Sequence, residues 1–167
     1  NLNIRKSYQY DKLLIELVTS SEDIEKFNPS LFAKKIVEIH GNRIAGIIHT
    51  INDNISDRIN YQDVISKTIF GSNKITEKIL NLNFEIYMSS FFQTNPLCAE
   101  KLYSKVIEYS SVESRKNQSI ILDLFCGTGT IAQLIAIKQK KASVIGVDIV
   151  SSAINNAKQS AKENNIK

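Results

Sequence analysis

Two carboxylates set around a pair of glycines are the residues in this sequence best placed for chemistry. Gly127-Thr128-Gly129-Thr130-Ile131-Ala132 fits the pattern G-x-G-x-x-G/A, Asp123 stands just ahead of it, and Asp148 ends the next apolar run. Glycines at this spacing let a strand turn sharply into a helix and bring bare backbone against a ligand. The same pattern serves dinucleotides, and the acids bear on that choice. A pyrophosphate needs free N–H groups at a helix N-terminus, and a neighbouring carboxylate would repel it. S-adenosylmethionine carries no phosphate. Its sulfonium and α-ammonium are cationic, which makes Asp123 a suitable neighbour. Its ribose offers two hydroxyls, for which Asp148 is a natural bidentate acceptor. The acid before the turn therefore favours the methyl donor over a nicotinamide or flavin. A tight turn that holds no ligand is the plain alternative.

These residues need a scaffold, and the sequence around them spells one. A strand over 120–125, a helix over 129–137, a strand over 142–148 and a helix from about Ser152 to Lys162 follow in order, the last with Ala153, Ala157 and Ala161 on one face. Strand, helix and strand within about 30 residues make a βαβ unit, which demands a parallel sheet. Upstream, Asn95 and Pro96 read as cap and first position of a helix carrying Ala99, Leu102, Tyr103, Val106 and Ile107. The polar stretch VESRKNQS links that helix to the first strand.

Residues 1–90 follow another pattern. LNIRKSYQYDKLLIELVT reads as a strand pair broken at Gln9-Tyr10-Asp11, and LFAKKIVEIH, after Asn28-Pro29-Ser30, reads as a helix. GIIHTIND, DVISKTIF and FEIYM are strand candidates, with breaks at Gly71-Ser72-Asn73 and Asn81-Leu82-Asn83. We therefore expect a small central α+β domain over 1–90 and, over 91–167, the first βαβα of an α/β Rossmann-like domain with an incomplete parallel sheet.

Composition narrows the class. No run of about 18 uncharged apolar residues is present, so no membrane-spanning segment is expected. Cys98 and Cys126, the two cysteines, form no CxxC pair and suit a reducing, cytoplasmic setting; we expect both to be buried. His40 and His49 lack a matching ligand pattern, so no metal site is expected, and each reads as a strand-end or surface histidine. Residues 1–90 carry 11 Lys/Arg and 11 Asp/Glu, whereas 91–167 carry 10 against 6, so the whole surplus of +4 lies in the second part. That surplus, partly Lys138, Lys140 and Lys141, would suit a nucleic-acid partner, but four charges spread this way are more often a solvated face, so charge alone does not decide the partner.

The segment Ser90-Phe91-Phe92-Gln93-Thr94-Asn95 adds two aromatics and an amide ahead of the helix cap. Taken with KLY, DLFCGTGT and GVDI, it resembles the RNA uracil-5-methyltransferases, which form 5-methyluridine in tRNA and 23S rRNA and have a class I methyltransferase fold. IHTINDNISDRI, KTIFGSNKITEKI and LNFEI look like that family's central domain, so the likeness covers almost the whole chain.

The resemblance implies S-adenosyl-L-methionine as cofactor, S-adenosylhomocysteine as product and a structured RNA, tRNA or rRNA, as partner. It implies that Gln93 and Phe125 contact the cofactor, that Asp148 holds its ribose and that Thr130 lines the same pocket, beside Asp123, Gly127 and Gly129. It also implies a cysteine thiolate adding to carbon 6 of the uracil and a carboxylate removing the carbon 5 proton. The family's nucleophile belongs to an S-C-N-P motif that this sequence lacks. The chain thus reads as a piece of a longer protein, with no catalytic residue of its own and with a bare sheet edge that would favour self-association. The alternatives are a methyltransferase for another nucleic-acid base or a protein substrate, and a non-catalytic RNA-binding module.

Overall fold

The computed structural model describes residues 1–54, 59, 61, 64–110 and 119–166, and these fall into two units. The first is Asn1–Glu77 with Ile86–Ser89, and the second is Lys78–Glu85 with Ser90–Lys167.

Four strands build the sheet of the first unit, in the order β1 (Leu2–Lys6), β2 (Leu13–Thr19), β3 (Ile44–Ile51) and β4 (Ile65–Gly71). β1 and β2 run antiparallel, from Leu2↔Leu17 to Lys6↔Leu13, as the expected strand pair requires. β2 and β3 run parallel, which the sequence reading did not anticipate. The crossover that a parallel pair needs is helix α1 (Pro29–His40). Its start is local chemistry: the Asn28 Oδ1 accepts the Leu31 N–H at 3.0 Å, and Pro29 takes the first turn. α1 sets Ala33 against Ile15, Ile44 and Ile47.

Side chains alternate along a strand, so Glu16 faces away from the surface that Ile15 gives to α1. It is fully buried and accepts hydrogen bonds from the Thr50 hydroxyl (2.7 Å), the Tyr61 hydroxyl (2.8 Å) and the Asn3 amide (2.9 Å). Burial, and then the bond to Glu16, push the Tyr61 phenol well above its ordinary range. His49 departs from expectation too. It is buried in mid-strand, its Nε2 lies 2.9 Å from the Thr19 Oγ1, and Phe27 packs at 5.7 Å. Burial lowers its pKa.

The division between units runs through a hairpin of β5 (Lys74–Ile79) and β6 (Leu82–Tyr87). Neither the strand β5 nor the assignment of residues 78–85 to the second unit is expected from the sequence pattern, which draws the line near residue 90. Ile79, Leu82 and Phe84 share a core with Ala99, Tyr103 and Leu134, and this burial groups the hairpin tip with the second unit. The break placed at Asn81-Leu82-Asn83 is narrower than expected, because Leu82 already begins β6. At the turn Leu80 takes φ 53°, and its N–H donates to the Glu100 Oε1 at 2.6 Å.

The second unit continues with α2 (Pro96–Tyr109), β7 (Ser119–Leu124), α3 (Thr130–Lys138), β8 (Ala142–Val147) and α4 (Ser151–Glu163). Asn95 caps α2 as expected, its Oδ1 accepting the Cys98 N–H at 3.0 Å. β7 and β8 pair in parallel, with Ser119↔Ala142 through Leu124↔Val147. The polar stretch 112–119 lies outside the described residues except for Ser119. Ile120, Leu122 and Leu124 of β7, with Ile145 and Val147 of β8, are exposed, and the register sets Leu122 beside Ile145 and Leu124 beside Val147. One face of this two-stranded sheet is therefore apolar and bare. Among the described residues β7 has a single strand neighbour.

Candidate functional site

Strand β7 ends one residue earlier than its apolar run suggests. Phe125 has φ +61°, a left-handed conformation that no strand accommodates, and its ring is 89% exposed. A bulky residue in that region costs strain, and an exposed ring forgoes burial; such outliers concentrate at functional positions. The chain then passes through Cys126, whose N–H reaches the Val147 carbonyl at 3.0 Å, and through Gly127 and Gly129, both left-handed at φ +54° and +73°.

The two glycines serve different ends. A methyl group at Gly129 would lie 3.0 Å from the Ala157 Cβ and 3.2 Å from the Gln133 Nε2, so the missing side chain lets α4 and the Gln133 amide close on the turn. A methyl group at Gly127 would meet nothing within 4 Å. Gly127 is thus the open side of the loop. Thr128 and Thr130 are buried with their hydroxyls 3.3 Å apart, which turns Thr130 into the loop.

Both acids are already engaged with backbone. The Asp148 Oδ2 accepts the Gly127 N–H and its Oδ1 the Val150 N–H, each at 2.8 Å. These bonds, Val150 first, hold the carboxyl below the usual carboxylate range. Asp148 therefore ties the turn after β8 to the turn after β7, and its carboxylate keeps lone-pair capacity for a further donor. The Asp123 Oδ2 accepts the Ala132 N–H at 3.1 Å, one of the orphan donors in the first turn of α3. Half-burial pushes the Asp123 carboxyl up, and the Ala132 bond partly offsets this. Its other oxygen has no partner among the described residues.

The upstream segment divides its aromatics. Phe92 packs on Phe84 with ring centroids 6.3 Å apart, whereas Phe91 is 80% exposed, so the two do not form a buried pair. Gln93 is half-buried in the irregular stretch that enters α2, and its amide has no partner among the described residues. No hydrogen bond joins it to the glycine loop.

The cysteines part ways. Cys126 is half-buried, and burial, then Asp123 and Asp148, raise its thiol pKa, which leaves it a poor nucleophile. Cys98, expected to be buried, is exposed on the first turn of α2. The buried stripe of that helix runs through Ala99 and Tyr103, one residue round from Cys98.

Sequence reasoning missed Gln133. It is 5% exposed, and its Nε2 donates to the carbonyls of Ala157 (3.3 Å) and Thr128 (3.4 Å). Its Oε1 accepts from the Ser160 hydroxyl (3.2 Å) and the Asn164 amide (3.3 Å). The signal was present as a lone amide inside the otherwise apolar run IAQLIAI.

Residues 115–167 match the family model of a methyltransferase domain. Over 167 residues the chain is 41% identical to an uncharacterized RNA methyltransferase of Clostridium acetobutylicum, a match covering 99% of this chain and 35% of that protein. Over 166 residues it is 39% identical to an uncharacterized RNA methyltransferase of Clostridium tetani, covering 99% and 35%. The chain thus spans about a third of the length of the curated relatives it matches. The solved structure of Pyrococcus abyssi tRNA (uracil-54, C5)-methyltransferase in complex with S-adenosyl-L-homocysteine superposes with a TM-score of 0.71 at 24% identity, over 98% of this chain and 36% of that one. The fold is accordingly mixed α/β, and the second unit has the Rossmann-like architecture of class I methyltransferases.

Proposed function

We propose that this chain is the cofactor-binding part of an RNA methyltransferase that uses S-adenosyl-L-methionine to methylate carbon 5 of a uridine in tRNA or rRNA, acting in the cytoplasm. The observation that carries the choice of cofactor is the state of the loop's donors. A pyrophosphate site needs free N–H groups at the turn, but here Gly127 donates to Asp148 and Ala132 to Asp123. Asp123 already occupies a donor in the first turn of α3 and Asp148 one in the turn before it, so the loop suits a ligand that brings positive charge and hydroxyls.

The residues present fit such a ligand. Asp148 is held ionised with lone pairs to spare for ribose hydroxyls, and Asp123 has one unbonded oxygen for a cationic group. Gly127 leaves open space beside them, and the exposed Phe125 ring offers an apolar surface. Bound there, the cofactor supplies an electrophilic methyl group. Gln93, with its free amide, completes the proposed contacts. The RNA reading draws on the relatives' names, and the uracil reading on the likeness of SFFQTN and DLFCGTGT to the uracil-5-methyltransferases.

Calorimetric titration of S-adenosylhomocysteine and of NAD into the full-length protein tests the cofactor. Binding of NAD in preference would sink the proposal. Methyl transfer to unmodified tRNA and 23S rRNA transcripts, followed by nucleoside analysis, tests the rest: the expected product is 5-methyluridine, and a methylated purine or cytidine would refute the uracil assignment. Residues 1–167 by themselves should give no transfer, since the Cys126 thiol is suppressed. Cys98 is exposed, so a Cys98→Ser control is needed: activity in this stretch that disappears in that variant would show a nucleophile within it.

A further inference from the structure

We infer that Gln133 is a positioning residue for the cofactor loop, holding its backbone in the shape that Asp148 and Phe125 require. The inference rests on the cofactor reading above and adds a residue that touches neither ligand nor reacting atom.

Gln133 lies in the first turns of α3, where IAQLIAI leads one to expect an apolar side chain on the core. Burying an amide there is costly unless each of its polar atoms is bonded. Here all are: two N–H donors meet two carbonyls, and the carbonyl oxygen meets two donors. The partners belong to separate parts of the unit. Thr128 is the residue between the two loop glycines, Ala157 and Ser160 are on α4, and Asn164 follows α4. Asn164 also donates to the Asn83 carbonyl at 2.8 Å, and the Asn83 N–H donates to the Asn164 Oδ1 at 3.1 Å. One chain of bonds therefore runs from the loop through Gln133 to α4 and on to the tip of the β5–β6 hairpin.

The geometry at Gly129 points the same way. The Gln133 Nε2 would sit 3.2 Å from a methyl group at Gly129, so the amide lies against the loop at its left-handed residue. The loop carbonyl that Gln133 holds is flanked by Gly127, whose N–H Asp148 accepts, and by Gly129. Asp148 anchors one side of the turn and Gln133 the other. Without the amide, the Thr128 carbonyl loses its bond and the turn can relax while Asp148 still grips Gly127. The pocket would then change shape with the fold largely intact.

A side chain that merely fills the core would affect the folded fraction and leave affinity per folded molecule unchanged. A positioning residue changes affinity. In the full-length protein, Gln133→Met keeps the length and removes the amide, and Asn164→Ala removes the outer link. We expect Gln133→Met to raise the Kd for S-adenosylhomocysteine, and the KM for the methyl donor, by about tenfold, with the KM for RNA unchanged. Asn164→Ala should raise the same two constants by a smaller factor, which keeps the test open should Gln133→Met fold poorly. Unchanged donor constants in folded protein for both variants, with only the melting temperature lowered, would overturn the inference. If wild-type protein fails to bind S-adenosylhomocysteine at all, the cofactor reading falls, and this inference with it.

Discussion

Gly127 and Gly129 are both left-handed, yet the structure gives replacement by alanine different consequences at the two. A Cβ in the left-handed region costs about 1–2 kcal/mol at either position. At Gly127 that is the whole cost to stability, because the new methyl meets nothing within 4 Å. At Gly129 the methyl would stand 3.0 Å from the Ala157 Cβ and 3.2 Å from the Gln133 Nε2. The neighbours are a helix backbone carrying the smallest chiral side chain and an amide tied by four bonds, so neither yields freely. Overpacking of this kind adds about 1–3 kcal/mol. Gly129→Ala should therefore cost about 2–5 kcal/mol, and Gly127→Ala about 1–2. Urea unfolding with an unchanged slope measures the difference. Ala157→Gly in the Gly129→Ala background should recover part of the loss, even though glycine in a helix costs about 1 kcal/mol on its own. Affinity for S-adenosylhomocysteine should order the variants differently. Gly127→Ala points its methyl into the open side of the loop and should weaken binding despite its smaller effect on stability. Equal destabilisation by the two substitutions, or no coupling between positions 129 and 157, would refute the packing argument.

Asp148→Asn should weaken S-adenosylhomocysteine binding on the order of tenfold to a hundredfold, because the charged acceptor is lost; an unchanged titration would remove Asp148 from the site. Its carboxyl is depressed in the fold, so its own contribution is complete above about pH 4 and disappears as pH falls through the lower folded value; Asp123, whose carboxyl burial pushes up, should be lost first, so binding should weaken before Asp148 titrates. Glu16→Ala should cost about 3–5 kcal/mol in thermal or urea unfolding, because it removes the acceptor of Tyr61 and Asn3 and leaves Thr50 only Ser66; a loss below about 1 kcal/mol would show that water or a shifted strand replaces the carboxylate. The isolated 167-residue polypeptide should self-associate through the exposed face of Ile120, Leu122, Leu124, Ile145 and Val147 and the edge of β7 that has no strand neighbour among the described residues. Sedimentation of a monodisperse monomer at high concentration would count against that.

What the sequence made legible is what local chemistry decides. Asn28-Pro29 and Asn95-Pro96 each place a capping amide and a residue with no N–H at a helix start, and both helices begin there. The glycine pair marks a strand-to-helix turn, and the strands around it lie within a residue or so of the expected limits. Features fixed by distant partners were not legible. The parallel pairing of β2 with β3 depends on which way α1 carries the chain, and nothing in LFAKKIVEIH states a direction. His49 looks like any strand histidine until Phe27 and Thr19 close on it. Cys98 sits beside an apolar stripe in sequence, but the stripe's angular position on α2 is set by the core it meets, and that places Ala99 inside and Cys98 out.

The acids of the loop show why a motif reveals its residues more readily than their roles. Asp123 and Asp148 stand out in sequence as charges near a ligand turn, and it is natural to assign both wholly to the ligand. The structure gives each a prior task in the backbone: one caps α3 through Ala132, and the other joins two turns through Gly127 and Val150. On the proposed reading, these tasks serve cofactor binding. A carboxylate fixed by backbone N–H groups loses little side-chain freedom when a hydroxyl arrives, so less of the binding energy goes to ordering it. The same bonds keep Asp148 ionised and use up donors that a pyrophosphate would need. On the proposed reading, selectivity against dinucleotides rests on main-chain hydrogen bonds: the G-x-G-x-x-A pattern by itself leaves the cofactor open, and the two flanking acids argue for the methyl donor.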